Sequence, residues 1–165
     1  MKLNLGCGRA VKKGYVNLDF VKLPGVDVVH DLDSFPYPFK ANTFDEIYVD
    51  NVLEHLNDLV AVMAELHRIS KKGAVIKIIV PYFHYHGAYQ DPTHKHFFTL
   101  DTFDYFVKGS NYDYYVKTRF EIVKKELTPT TLGKLVPFKK KCLNMIAMIF
   151  GEFAKSIYFE LRVVK

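Results

Sequence analysis

The chain has no tryptophan and only two cysteines, Cys7 and Cys142, among its 165 residues. Two cysteines so far apart give no disulfide framework and suit a reducing compartment, so a cytoplasmic protein is expected. The start of the chain lacks the charged, then apolar, then small-residue pattern of a secretory leader. No hydrophobic run approaches the roughly 20 residues that span a bilayer. The longest, around Cys142 to Phe150, is far shorter, and no transmembrane segment is expected. Linker composition and internal repeats are also missing, which leaves one domain over residues 1–165. A net charge of +5 would help with an anionic partner, but it is too mild to imply nucleic acid.

What is present suits a globular protein with a full core: 49% apolar and 25% charged residues. The first half alternates short apolar runs with turns. Leu3–Leu5, Tyr15–Asp19, Val26–His30, Phe44–Val49 and Ala74–Val80 are the expected strands. The last is nearly continuous in apolar residues, as in a parallel strand buried on both faces. Asn57 or Asp58 can cap a helix running to about Ser70, with Leu59, Val62, Met63, Leu66 and Ile69 on one face. Lys71, Lys72 and Gly73 are expected to end it. Only about ten residues separate the first two strands, fewer than a parallel crossover usually takes, so the first helix must be stunted or replaced by loop. In the second half, Asp101 is expected to cap a short helix through Phe106. Lys117–Leu127 and Ser156–Val164 read as long strands closing the sheet edge, with residues 128–155 inserted as a helical lid or contact segment.

The most informative stretch is the first nineteen residues. A strand runs into Gly6-Cys7-Gly8, and the next strand ends on Asp19. Glycines permit backbone conformations and close approach that side chains forbid. An acid at the tip of the second strand can accept hydrogen bonds from two ribose hydroxyls. Together they describe a nucleoside-cofactor site at the carboxyl ends of parallel strands. Asp31, after the third strand, could meet an adenine amino group, with the Leu32 backbone against the ring; it could equally be a solvated turn residue. A nicotinamide fingerprint fails, because Val11 stands where a third glycine or alanine is needed.

The segments Leu-Asn-Leu-Gly-Cys-Gly, Gly-Tyr-Val-Asn-Leu-Asp, Phe-Pro-Tyr-Pro-Phe, Thr-Phe-Asp-Glu-Ile-Tyr and Val-Leu-Glu-His-Leu together resemble class I S-adenosylmethionine-dependent methyltransferases. The nearest likeness is to small type 11 domains, and it covers residues 3 to about 106. It implies an α/β fold with a doubly wound, mostly parallel seven-stranded sheet and an antiparallel edge strand. It also implies S-adenosylmethionine as cofactor. By the resemblance, Gly6 and Gly8 approach the methionine part, Asp19 holds the ribose, Asp31 and Leu32 flank adenine, and Asn51 and His55 sit near the methyl group. The chain departs from the wider pattern at Asn4, where an acid is usual, and at Ala10, where a third glycine is usual. No helices precede the first strand here, so a lid is expected from the second half.

Methyl transfer is an in-line displacement that depends chiefly on positioning, and needs a base only for a protonated nucleophile. Glu54 and His55, adjacent after the fourth strand, could serve; they could also be a helix-start acid beside a packed histidine. The loop from Tyr82 to His96 holds four histidines and overhangs the expected methyl group. Three readings stay open for it: a substrate wall with His94 or His86 as base, a metal site using His84/His86 or His94/His96, or a structural turn with packed rings. Neither histidine pair has a diagnostic metal spacing, so no metal is assigned. Lys139–Lys141 followed by an apolar helix suggests a buried lid, a homodimer contact or a membrane-surface segment, in that order. Apolar residues nearly all round that helix favour burial.

These features combine into a methyltransferase of small-molecule or glycan-related acceptors, with His55 and His94 as catalytic candidates. The rivals are a nucleic-acid methyltransferase and a non-catalytic S-adenosylmethionine-binding module. Against a nucleic-acid acceptor, the fourth strand ends Asp50-Asn51-Val52-Leu53, not in the Asn-Pro-Pro-Tyr type of segment used for amino methylation.

Overall fold

The structure, a computed structural model, describes residues 1–112, 114–135 and 140–165. Seven strands form one sheet: β1 (Lys2–Leu5), β2 (Val16–Asp19), β3 (Val28–Val29), β4 (Phe44–Asp50), β5 (Ser70–Pro81), β6 (Arg119–Pro129) and β7 (Ala154–Val164). Their order is β3-β2-β1-β4-β5-β7-β6. Strands β1 to β5 pair in parallel. β7 runs antiparallel to β5, and β6 antiparallel to β7. The expected mostly parallel sheet with an antiparallel pair at one edge is therefore present. The reversed strand is β7, one place in from the edge, and β6 closes the sheet.

One face of this sheet holds the core. Ile47 aligns with Ile76 and that with Leu161; Ile78 aligns with Phe159, and Val80 with Ile157. All seven are fully buried. Helix α1 (Leu59–Ile69) covers this face with Val62, Met63, Leu66 and Ile69. The opposite face differs in kind. There Tyr48, Lys77, Glu160 and Lys124 stand side by side. Lys77 Nζ reaches Glu46 at 2.8 Å, and Lys12 Nζ lies 3.9 Å from the Tyr48 ring centroid. β5 is thus interior to the sheet as expected, but only one of its faces is fully buried. Its apolar run arises from alternation of a buried set with the half-buried Val75 and Ile79.

The first crossover contains no helix, and two asparagines explain how a loop replaces it. Asn4 Nδ2 donates to the Ala10 carbonyl and to Asn17 Oδ1, each at 2.9 Å. Asn17 Oδ1 also accepts from the Lys12 N–H at 2.8 Å, while its Nδ2 donates back to the Lys12 and Tyr15 carbonyls. Both residues are buried. A carboxylate at position 4 has no hydrogen to give either acceptor. The departure from the family's usual acid thus goes with the compressed crossover.

Several boundaries differ from the sequence reading. Asp58 caps α1, accepting from the Ala61 N–H at 2.9 Å. The helix ends one step earlier than Lys71-Lys72-Gly73: Ser70 is already extended and begins β5. Gly73, at φ +77°, lies within the irregular start of that strand, where the β4–β5 register shifts. β3 shrinks to two residues, although the flanking Asp27 and His30 N–H groups still donate to the Asn17 and Asp19 carbonyls of β2. Asp101 gives no side-chain cap to the 3-10 turn Thr102–Phe106; its carboxylate receives Lys125 Nζ at 2.8 Å instead.

Between β6 and β7 lie α3 (Thr131–Lys134) and α4 (Lys140–Ile149), after the short α2 (Gly87–Gln90) in the histidine loop. The expected burial of α4 on all sides is not met. Ala147 is buried and Leu143 packs on the core, but Met145, Met148, Ile149 and Phe150 are exposed. Lys139 and the side chains of Lys140 and Lys141, the expected basic cluster, lie outside the described residues. Among the described residues, no helix is long and apolar enough to cross a membrane.

Candidate cofactor and acceptor site

At the carboxyl ends of β1, β2 and β4, the chain must turn without filling the space it leaves. Gly6 does this at φ +62°; a Cβ there would lie 2.5 Å from Val52 Cγ2. The glycine is therefore required by the protein's own packing as well as by its backbone angle. Gly8, at φ +50°, has open space around it and donates its N–H to Asp19 Oδ2 at 2.7 Å. Asp19 Oδ1 accepts from the Val21 N–H at 3.0 Å. Two of the roughly four lone-pair positions of this carboxylate are thus used, and the others remain for a ligand.

Gly6, Asp19, Phe20, Asp31, Leu32, Asn51, Val52, His55, Leu56 and Thr93 line a cavity of about 430 Å³. Every residue the sequence assigned to the cofactor lines it except Gly8, which is joined to it through its hydrogen bond to Asp19. Leu32 is held by its carbonyl, which accepts from the Tyr37 hydroxyl at 2.9 Å. The Asp31 side chain is committed in part to its own turn, accepting from the Asp33 N–H at 3.0 Å. Asn51 follows β4 at φ +52°, a left-handed conformation that asparagine tolerates better than most residues.

A second cavity of about 880 Å³ adjoins it, formed by the ends of β4, β5, β6 and β7 and by the histidine loop. Asn51 and His55 line both cavities. The larger chamber adds Glu54, Tyr85, Gln90, Asp91, His94 and Lys155. Lys155 is exposed and has no ion-pair partner among the described residues.

Of the loop histidines, only His94 reaches the chamber. The loop is tied down by the Glu54 carbonyl, which accepts from the Lys95 and His96 N–H groups at 2.7 and 3.2 Å. This sets the His94 ring edge-on to His55, with centroids 4.8 Å apart. His86 is drawn away instead: its N–H and Nδ1 both meet the Glu152 carboxylate, at 2.8 and 2.7 Å. His84 stacks on Phe83 and places Nδ1 3.1 Å from the Ala147 carbonyl. Neither pairing weighed from the sequence, His84 with His86 or His94 with His96, forms the ligand cluster. Among the described residues, the structure groups Glu54, His55 and His94, with one ligand atom of each within 4.8 Å of the others.

The tautomers follow from the partners. His94 Nδ1 lies 2.8 Å from the Ala88 carbonyl, which can only accept, so Nδ1 carries the hydrogen. Thr93 Oγ1 donates to Asp91 Oδ1 at 2.6 Å, so toward His55 Nδ1, 2.9 Å away, it acts as acceptor. Both rings therefore leave Nε2 as the free lone pair. Burial and the adjacent His94 lower the His55 pKa, favouring its neutral form. Glu54 is fully buried and neither carboxylate oxygen has a hydrogen-bond partner. Burial pushes its carboxyl up to about 7. The sequence raised Glu54 only as an alternative; its position beside His55 was visible, but its burial was not.

Residues 9–78 match the family described as a methyltransferase domain. An uncharacterized protein of Methanocaldococcus jannaschii is 30% identical over 133 residues, covering 75% of this chain; the chain spans 56% of that relative's length. A crystal structure of a SAM-dependent methyltransferase from Archaeoglobus fulgidus superposes with a TM-score of 0.70 at 17% identity, covering 98% of this chain and 85% of the other. An S-adenosylmethionine-dependent methyltransferase from Mesorhizobium loti gives 0.62 at 14% identity, over 98% and 89%. Residues 9–78 thus carry the likeness to a methyltransferase domain, and the fold of the whole chain is the one these two S-adenosylmethionine-dependent methyltransferases share.

Proposed function

We propose that this chain transfers a methyl group from S-adenosylmethionine to a small-molecule acceptor bound in the larger chamber. The observation that carries the proposal is the shared wall: two cavities at the strand ends meet at Asn51 and His55. The smaller one fits the cofactor. Its Asp19 keeps acceptor capacity for ribose hydroxyls, and the open edge of the Gly6 turn suits the methionine part. Asp31 and Leu32 would bound the adenine, and Asn51 the end nearest the chamber. When bound, the cofactor supplies an electrophilic methyl group on a sulfonium.

The chain's own contribution is placement. Asn51 and His55 stand at the junction where an acceptor atom must meet the cofactor. His55 and His94 each offer an Nε2 lone pair, able to take a proton from a hydroxyl or ammonium acceptor. The exposed Lys155 supports an acceptor with negative charge, which includes acidic sugars. Thr128 and Lys155 would form one side of the chamber, and α4 rests on the Tyr82–His84 segment beside it.

Isothermal titration with S-adenosylmethionine, S-adenosylhomocysteine and NAD tests this. The first two should bind once per chain and NAD should not. Absence of binding by both sulfur cofactors overturns the proposal.

A further inference from the structure

We propose that Glu54, His55 and His94 form a binding site for one divalent transition-metal ion of the zinc type, placed to hold the methyl acceptor. The proposal rests on reading the chamber as the acceptor site, but its residues and its test are its own.

Three observations carry it. First, two imidazoles and one carboxylate converge, with ligand atoms all within 4.8 Å of one another. A tetrahedral ion bound at about 2.1 Å holds its ligand atoms ~3.4 Å apart, so side-chain movements that close the cluster by roughly 1.4 Å are needed. Second, the Glu54 side chain is fully buried with both oxygens unpartnered. A buried carboxyl without any hydrogen bond is costly, and a cation would relieve that cost. Third, both imidazoles are already oriented as metal ligands are. His94 gives its Nδ1 hydrogen to a backbone carbonyl, and His55 gives its own to Thr93, itself fixed by Asp91. Metal-bound histidines anchor their second nitrogen in this way, on a carbonyl or through a carboxylate relay.

The donor set narrows the ion. Two nitrogens and one oxygen suit zinc, iron or cobalt more than magnesium or calcium, which prefer oxygen alone. Three protein ligands leave a coordination position open, the arrangement of a site that binds substrate. That position would face the chamber, where a hydroxyl or carboxylate of the acceptor could occupy it. An acceptor hydroxyl held there would ionise more readily, its proton passing to solvent, since with the ion bound the two Nε2 lone pairs ligate it and no longer serve as bases. The substrate class that follows is a small oxygen-bearing acceptor able to ligate a metal ion.

The test uses the untagged full chain, stripped with a chelator and titrated with Co²⁺ by visible absorption and with Zn²⁺ by calorimetry. One ion per chain is expected, with a visible Co²⁺ band. Glu54→Gln and His94→Ala should each weaken Zn²⁺ binding by more than about tenfold, and His84→Ala, outside the cluster, should not. Thermal melting confirms that the variants fold; Glu54→Gln keeps the shape of the side chain. No Co²⁺ band, or equal Zn²⁺ affinity in folded Glu54→Gln and His94→Ala, overturns the site. S-adenosylmethionine titrated into the stripped protein separates the two readings. Cofactor binding without metal binding removes the metal site alone, whereas metal binding without cofactor binding removes the methyltransferase reading and leaves the metal site standing.

Discussion

Asn4 donates its side-chain amide to Asn17 Oδ1 at 2.9 Å, joining the interior of β1 to that of β2 beneath the loop that replaces the first helix. Asn4→Asp would restore the acid usual in the family, yet it removes two donors and sets a carboxylate against Asn17 Oδ1 and the Ala10 carbonyl. The expected outcome is a loss of about 2 kcal/mol. Urea unfolding measures it, and an unchanged midpoint would show that the loop does not depend on this amide.

Gly6→Ala should destabilise more than Gly8→Ala. Both positions have positive φ, but only at Gly6 would a Cβ meet Val52, at 2.5 Å. Losses of about 2 and about 1 kcal/mol are expected. Adding Val52→Ala to Gly6→Ala should recover part of the difference. Thermal melts of the four variants, including Val52→Ala alone, decide it.

Asp19→Ala should weaken S-adenosylmethionine binding by more than about tenfold, since a buried charged acceptor is lost from the ribose position. It also frees the N–H groups of Gly8 and Val21, so a lower melting temperature is expected alongside. Calorimetry at a temperature where the variant is folded separates the two. Wild-type affinity in that variant would place the cofactor elsewhere.

Acid should destabilise the polar face of the sheet through Glu46. Burial alone would raise its carboxyl, but hydrogen bonds from Lys77 and Tyr15 outweigh it and bring the pKa from 4.5 down to about 2. A depressed folded-state pKa means the stabilisation is fully present above about 4.5 and is lost as pH falls toward 2. Wild type should lose melting temperature across that window, and Glu46→Gln should lose less. Parallel slopes for the two proteins would remove Glu46 from the acid response.

Hydrogen exchange should report the part played by α4. The Tyr82 hydroxyl and His84 Nδ1 both lie near the Ala147 carbonyl, so the helix is tied to the segment that leads into the chamber wall. If residues 134–153 act as a lid, their amides should slow on addition of cofactor and acceptor. Protection that rises only with protein concentration would mark a self-association surface, and salt-sensitive sedimentation with anionic vesicles a membrane-facing one.

The local features of the cofactor end were legible because the chemistry of a turn is written in adjacent residues. Gly6, Gly8 and Asp19 follow short apolar runs, and a strand, a glycine turn and an acid have few other uses together. Strand number and the antiparallel closing pair were legible too, since Arg119–Pro129 and Ala154–Val164 carry long runs compatible with strands. The α1 cap at Asp58 was within reach for the same local reason.

Other features depended on contacts between distant parts of the chain. Val52 behind Gly6, the Asn4–Asn17 link and the polar second face of β5 each join segments that sequence spacing does not relate. His55 and His94 are 39 positions apart, and the main chain of Glu54 holding Lys95 and His96, together with His55 Nδ1 against Thr93, sets their rings together. Of the four loop histidines the sequence offered His94 or His86 as the base, but Glu152 takes His86 and α4 takes His84. Sequence determined which residue types could serve the site, because side-chain chemistry is intrinsic. Tertiary structure decided which of them do, because burial, partner geometry and the free ring nitrogen arise only when separate segments pack.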